Sequence, residues 1–195
     1  MNVAEPRIVV IGGSAGAIET LLEILPALPP GYPLPVVVVV HLPAGQPSLL
    51  AEVLGTRSAL PVVEAEDKAR ACPGTVYLAP PDYHLLLEGD GTLALSVDAP
   101  VHHSRPAIDP LLESAADAFA DGVVAVVLSG ASSDGAAGLA AVRRAGGLAI
   151  VQDPATASSP LMPEAALRAA DPELVLSPAE LRVHLAALGR TGVRR

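Results

Sequence analysis

Residues 36–40 are five valines in a row, followed at once by His41. β-branched side chains crowd a helix and suit a pleated strand. A strand apolar on both faces has to be covered on both, as an inner strand of a parallel sheet is by its helices. RIVVI (7–11), VYLAP (76–80), GVVAVVLSG (122–130) and LAIVQ (148–152) have the same character, and LVL (174–176) reads as a last edge strand. Helical segments alternate with them: 17–28 broken near Pro26, 47–57, 109–120, 134–147 closed by Gly146-Gly147, 162–170 and 178–188. Two apolar runs around Gly-Asp-Gly within 84–97 signal a hairpin. The pattern predicts an α/β fold: a doubly wound, mostly parallel sheet with helices on both faces and an inserted β-hairpin. Nothing resembling a linker, repeat or low-complexity block divides residues 1–195, which read as one domain.

Composition narrows the function. Hydrophobic residues make up 51% of the 195-residue chain and aromatics only 2%, so the core is aliphatic. Twenty-one acidic against 12 basic side chains give a net charge of −9, which argues against a nucleic-acid or anionic-membrane surface. The longest apolar stretch, LPVVVVVHL, is too short for membrane insertion, and Glu5 and Pro6 precede the first apolar run where a secretory signal needs basic residues. One cysteine, Cys72, in a loop before Pro-Gly, suits a reducing compartment; the expected location is cytoplasmic. The terminal GRTGVRR reads as a frayed basic tail.

In open parallel sheets, sites form beyond the carboxyl ends of the strands. Ser14 follows the first strand, His41 closes the second, and Asp134 follows VVAVVLSG. The stretch GGSAG (12–16) has three readings. As an anion cradle it fails the dinucleotide spacing, has no acidic residue after the second strand, and lacks the Gly-Lys-Ser/Thr of a phosphate loop. As a helix start, Ser14 is a cap. As G-x-S-x-G on a strand–turn–helix, Ser14 is a nucleophile, with His41 as its base and Asp134 orienting that base. Taken alone, His41 also reads as a satisfied edge histidine and Asp134 as the N-cap of its own helix. The order Ser…His…Asp differs from that of α/β-hydrolases. His102 and His103 are adjacent and His84 is remote, without carboxylate or cysteine spacing for zinc; no metal and no cofactor is expected.

Six blocks in order resemble the catalytic domain of chemotaxis protein-glutamate methylesterases, over roughly residues 7–185. They are VVIGGSAGAIETL (9–21), VVVHLPAG (38–45), VYLAPPDYHLLLEG (76–89), SRPAIDPLLESAA (104–116), VVLSGASSDGAAGLAAVRRAGG (126–147) and VQDPATASSPLMPEAAL (151–167). The resemblance implies Ser14 as nucleophile, His41 as base and Asp134 as carboxylate. Its implied reaction is hydrolysis of glutamate methyl esters on the cytoplasmic domain of methylated chemoreceptors, with deamidation of receptor glutamines as a companion activity. Ala15, Gly16, Arg105 and Ala131 fall at corresponding positions and are expected to line the substrate site, Arg105 reading as a structural or substrate-positioning residue or, nearly as well, as a solvated loop arginine. The chain departs from the family at Ala15, where a threonine is common, at Ala17, where a glycine is, and in GASSDG (130–135), where G-M-G-N-D-G is usual. Ser104 stands in place of the family's histidine. The receiver domain of the chemotaxis enzymes is not in this sequence, which makes a separate regulatory protein a candidate partner. A non-catalytic receptor- or regulator-binding module and an esterase with another substrate are the alternatives.

Overall fold

A computed structural model describes residues 7–43 and 45–191. The segment ahead of Arg7 and the last four residues of the expected basic tail lie outside the described residues; Gly189–Thr191 continue the last helix rather than fraying. In chain order the elements are β1 (Ile8–Gly13), α1 (Ala17–Ile24), β2 (Val36–Val40), α2 (Leu50–Gly55), β3 (Val62–Glu64), β4 (Val76–Leu78), β5 (His84–Leu87), β6 (Leu93–Ser96), α3 (Ile108–Phe119), β7 (Val123–Val127), α4 (Ala136–Arg144), β8 (Leu148–Gln152), α5 (Leu161–Ala170), β9 (Leu174–Leu176) and α6 (Pro178–Thr191). Seven strands make one parallel sheet in the order β3-β4-β2-β1-β7-β8-β9. The hairpin β5–β6 forms its own antiparallel pair rather than entering that sheet.

The valine runs split between two cores, as strand alternation demands. Val37, Val39, Val123, Ala125 and Val127 pack with α3, α4, α5 and the hairpin. Val36, Val38, Val40, Val124 and Val126 pack with α1, α2 and α6. Every residue of β1, β2 and β7 is buried, which is why these strands carry no polar alternation.

Two sequence expectations need correction. β3 is a strand at one sheet edge where none was predicted: it is three residues long, follows Pro61 and leaves Val63 40% exposed, so it lacks a continuous apolar run. β1 runs on through Gly12 and Gly13 instead of stopping at Ile11, because these glycines stay in register with Val39 and Val40. A β-carbon on Gly12 would collide with Ile108 and one on Gly13 with Ala17; the first two glycines of GGSAG therefore serve helix packing, and only the third serves the turn.

β1 is the point where the winding reverses: β2 lies on one side of it and β7 on the other. The crevice at the carboxyl ends of β1 and β7 is thus the topological switch point, the usual position of a site in such a sheet.

Candidate active site

Ser14 is the first residue beyond β1, held by backbone on both sides. Its N–H donates to Ser129 O at 2.9 Å, and on the other flank His41 N donates to Gly13 O at 3.3 Å. The register Gly13↔Val40 makes Ser14 and His41 the next pair across adjacent parallel strands, about 4.8 Å apart in backbone spacing. The Ser14 carbonyl accepts the Ala17 N–H at 3.0 Å, and Gly16 sits at φ 81°, ψ 0°. With Ala15 at negative φ, residues 14–17 form a type II turn. Gly16, not Ser14, is the N-cap of α1, and no side chain caps that helix. The Ser14 hydroxyl, half-buried, makes no hydrogen bond among the described residues, to His41 or to any other group. Its side chain is free to serve something other than the helix.

His41 and Asp134 meet directly: Nε2 lies 2.7 Å from Asp134 Oδ2, with the imidazole 15% exposed and the carboxylate fully buried. An ionised carboxylate only accepts, so Nε2 carries the proton and Nδ1 of the neutral ring keeps its lone pair. Asp134 also accepts the N–H of Ile108 (2.7 Å), of Asp109 (2.9 Å) and of Gly135 (2.9 Å). Ile108 and Asp109 open α3, so Asp134 caps that helix across 26 residues of sequence; the N-cap of its own helix, α4, is Gly135. Burial pushes the Asp134 carboxyl up, but the bonds from His41, Ile108 and Asp109 outweigh it and hold it below its ordinary value. The group that orients the imidazole is therefore ionised and doubly anchored.

The other expected residues divide. Ala15, exposed, and Gly16 lie on the Ser14 turn, and neither donates its N–H to another group among the described residues. Ala131 is exposed on the loop between β7 and Asp134. Arg105 is engaged through one nitrogen: its Nη1 donates to the carbonyls of Val97 (2.7 Å) and Asp98 (2.9 Å), tying the exit of the hairpin to the approach of α3, while its buried Nε has no partner among the described residues. His84 is buried, accepting the Ala107 N–H at Nδ1 (3.3 Å) and donating from Nε2 to Ala99 O (3.1 Å), which fixes it as a neutral structural ring. His102 Nε2 lies 3.2 Å from Asp109 Oδ2, and one atom each of His102, Asp109 and Asp134 fall within 4.8 Å of one another. Asp134 already accepts four hydrogen bonds, and Asp109 takes the Gly138 N–H at 2.7 Å besides His102. These oxygens are committed to holding α3 and α4 rather than offered to a cation.

Sequence reasoning passed over Ser129 and Gln152. Both are buried polar residues at the carboxyl ends of adjacent strands, and Gln152 Oε1 accepts the Ser129 N–H at 2.9 Å. The strand-end rule that selected Ser14 and His41 applies equally to these two positions.

Known proteins carry the same pattern. The sequence profile described as CheB methylesterase matches residues 9–185. A Leptospira interrogans protein, provisionally named protein-glutamate methylesterase/protein-glutamine glutaminase, is 44% identical over 169 residues, covering 87% of this chain and 88% of that one. The Maricaulis maris protein-glutamate methylesterase/protein-glutamine glutaminase is 36% identical over 183 residues, 92% of this chain but 46% of its own length, so the chain spans about half of that longer relative. The crystal structure of the Thermotoga maritima CheB methylesterase catalytic domain superposes with a TM-score of 0.89 at 36% identity, covering 95% of this chain and all of that one. With this match along nearly its whole length, the chain belongs to the CheB methylesterase family.

Proposed function

We propose that the protein is a serine esterase that hydrolyses γ-glutamyl methyl esters on the cytoplasmic domain of methylated chemoreceptors, with Ser14, His41 and Asp134 as its catalytic residues. The observation that carries this is the His41–Asp134 bond of 2.7 Å on the Nε2 edge. It leaves the basic Nδ1 edge for the serine on the neighbouring strand end. In the first step Ser14 Oγ attacks the ester carbonyl while its proton passes to Nδ1 of His41. The tetrahedral intermediate collapses, the imidazolium returns that proton to the departing methoxide, and methanol leaves. Water then attacks the glutamyl-serine ester, giving its proton to His41; cleavage of the acyl bond restores the glutamate carboxyl and, with the proton returned, the Ser14 hydroxyl. Asp134 stays ionised throughout and stabilises the imidazolium. With a glutamine side chain the same sequence expels ammonia, which accounts for the double name of the relatives.

Among the described residues no helix is long and apolar enough to cross a membrane. The test is methanol release from a methyl-labelled receptor fragment. Wild-type protein is expected to release label and Ser14→Ala to release none above background; equal release by the two, or none by either, rejects the reading.

A further inference from the structure

Ser129, just beyond β7, takes no part in the chemistry proposed above, yet it forms the floor of the Ser14 turn. It is fully buried. Its carbonyl accepts the Ser14 N–H at 2.9 Å, and its hydroxyl donates to Ala15 O at 2.7 Å while accepting the Ser159 N–H at 2.9 Å. Its own N–H is taken by Gln152 Oε1 at 2.9 Å, and Thr20 Oγ1 of α1 lies 3.5 Å from the same oxygen. The hydroxyl proton has a second acceptor in Ser159 O at 3.3 Å, but the Ala15 carbonyl at 2.7 Å is much the nearer, so the hydroxyl is aimed chiefly at one peptide of the turn.

That peptide is the one free to flip. Type I and type II turns differ chiefly in their central peptide, which is rotated by roughly 150–170° between them. In residues 14–17 the central peptide is Ala15–Gly16. In the type II form seen here the Ala15 carbonyl points down onto Ser129. The Gly16 N–H, anti to that carbonyl across a planar trans peptide, points away from the floor and has no partner among the described residues. A type I turn would invert this, burying the N–H and presenting a carbonyl oxygen to the open side beside Ser14. Glycine at position 16 permits the type II form without selecting it, since glycine is at ease with either sign of φ. The selection comes from the Ser129 hydroxyl.

We propose that Ser129 is a positioning residue for acyl transfer: by holding the Ala15 carbonyl it keeps the Gly16 N–H turned outward as a donor to the oxyanion that forms when Ser14 attacks. This rests on the reading of Ser14 as the nucleophile. A donor already in place costs no reorganisation as negative charge develops, whereas a carbonyl in the same position would repel it. Gln152 supports the arrangement at one remove by fixing the Ser129 backbone.

The experiment compares wild type, Ser129→Ala and Ser129→Thr by two readouts. One is the rate at which a fluorophosphonate probe phosphonylates Ser14, a displacement of fluoride at phosphorus that needs the same oxyanion support but no receptor. The other is kcat and KM for methyl-ester hydrolysis on the receptor fragment. Ser129→Ala is expected to phosphonylate at least about tenfold more slowly, up to the ~100–1000-fold that a lost oxyanion donor costs. The same factor should appear in kcat with KM within about twofold, and Ser129→Thr, which keeps the hydroxyl, should recover most of the rate. An unchanged rate in Ser129→Ala, a loss confined to KM, or a threonine variant as slow as alanine overturns the proposal. If the alanine variant does not fold, Ser129→Cys, close in volume and a weaker donor, is read by the same two criteria. Wild-type protein that phosphonylates at Ser14 but releases no methanol rejects the receptor-ester substrate and leaves the Ser129 comparison standing. Wild-type protein that does not phosphonylate at Ser14 rejects both.

Discussion

The turn at Ser14–Ala17 and the turn at Ser133–Ala136 share one backbone and differ in what they leave free. In each, the first carbonyl accepts the fourth residue's N–H, at 3.0 and 3.2 Å. In each, the third residue is a glycine at φ 81° or 87° that becomes the N-cap of a helix without any side-chain cap. Asp134 occupies the second position of its turn, as Ala15 does of the other. The Asp134 side chain is fully buried and accepts four hydrogen bonds, one from His41 and three from backbone amides. The Ser14 hydroxyl accepts none among the described residues and stands half-exposed. One turn is over-determined, so the carboxylate cannot stray from the imidazole. The other keeps its backbone fixed and its functional groups unspent, as a nucleophile requires.

The largest expected effect tests that contrast directly. Ser14→Ala should abolish esterase activity while leaving the free energy of unfolding within about 0.5 kcal/mol of wild type, because no hydrogen bond of the hydroxyl is lost. Asp134→Ala should lower activity by about 10⁴-fold. It should also cost about 3–5 kcal/mol of stability, since the amides of Ile108, Asp109 and Gly135 lose a buried charged acceptor. Urea denaturation alongside methanol release reads both quantities. Equal destabilisation by the two substitutions would erase the distinction between the turns.

The same contrast explains how much of the molecule was legible in advance. Ser14, His41 and Asp134 stand out because each ends or follows an apolar run, and the hydrophobic pattern alone finds strand ends. The helices covering both sheet faces follow from strands with no polar face. Asp134 as the cap of its own helix was a fair local reading, but the carboxylate caps α3, 26 residues away; sequence carries local capping signals and no trace of a distant one. Ser129 and Gln152 are similar cases, 23 residues apart and of unremarkable type, joined only because β7 and β8 pair in register. β3 escaped because an edge strand of three residues buries too little to leave a pattern.

A smaller effect separates the two turn glycines. Substitution by alanine strains both, since each sits in the left-handed region, at a cost of about 1 kcal/mol. At Gly16 the new β-carbon would lie 2.6 Å from Ser158 Cβ and 2.9 Å from Ser129 Oγ. At Gly135 only one atom lies closer than 3.0 Å, Ile108 Cγ2 at 2.8 Å, and the next are at 3.4 Å or more. Gly16→Ala is therefore expected to lose about 2–3 kcal/mol against about 1–2 for Gly135→Ala. Chemical denaturation showing the reverse order would mean that the Ser14 turn yields more readily than its floor contacts suggest.

The smallest effect concerns charge at the start of α3, where two carboxylates are shifted in opposite directions. Asp134 is held below its ordinary value. Its contribution to stability is therefore complete above the unfolded carboxyl pKa of about 3.9 and is lost as pH falls through the lower folded value. Asp109 is raised: burial disfavours its charge, the Gly138 amide works against that, and the negative Asp134 adds to it. For a raised carboxyl the native state binds more protons than the unfolded chain between the two pKa values. Stability from Asp109 consequently falls as pH rises through that window and recovers on acidification. Asp109→Asn removes this titration while retaining an oxygen for the Gly138 N–H. Subtracting wild-type from variant stability at each pH cancels the groups that do not interact with Asp109, leaving its own titration together with its coupling to Asp134, His102 and Glu113. The difference should favour the variant more at pH 7 than at pH 4, the change being confined to the interval above the unfolded pKa. A difference that is flat with pH would show that Asp109 titrates as an ordinary surface carboxyl, and a difference of opposite slope would place it, like Asp134, on the stabilised side.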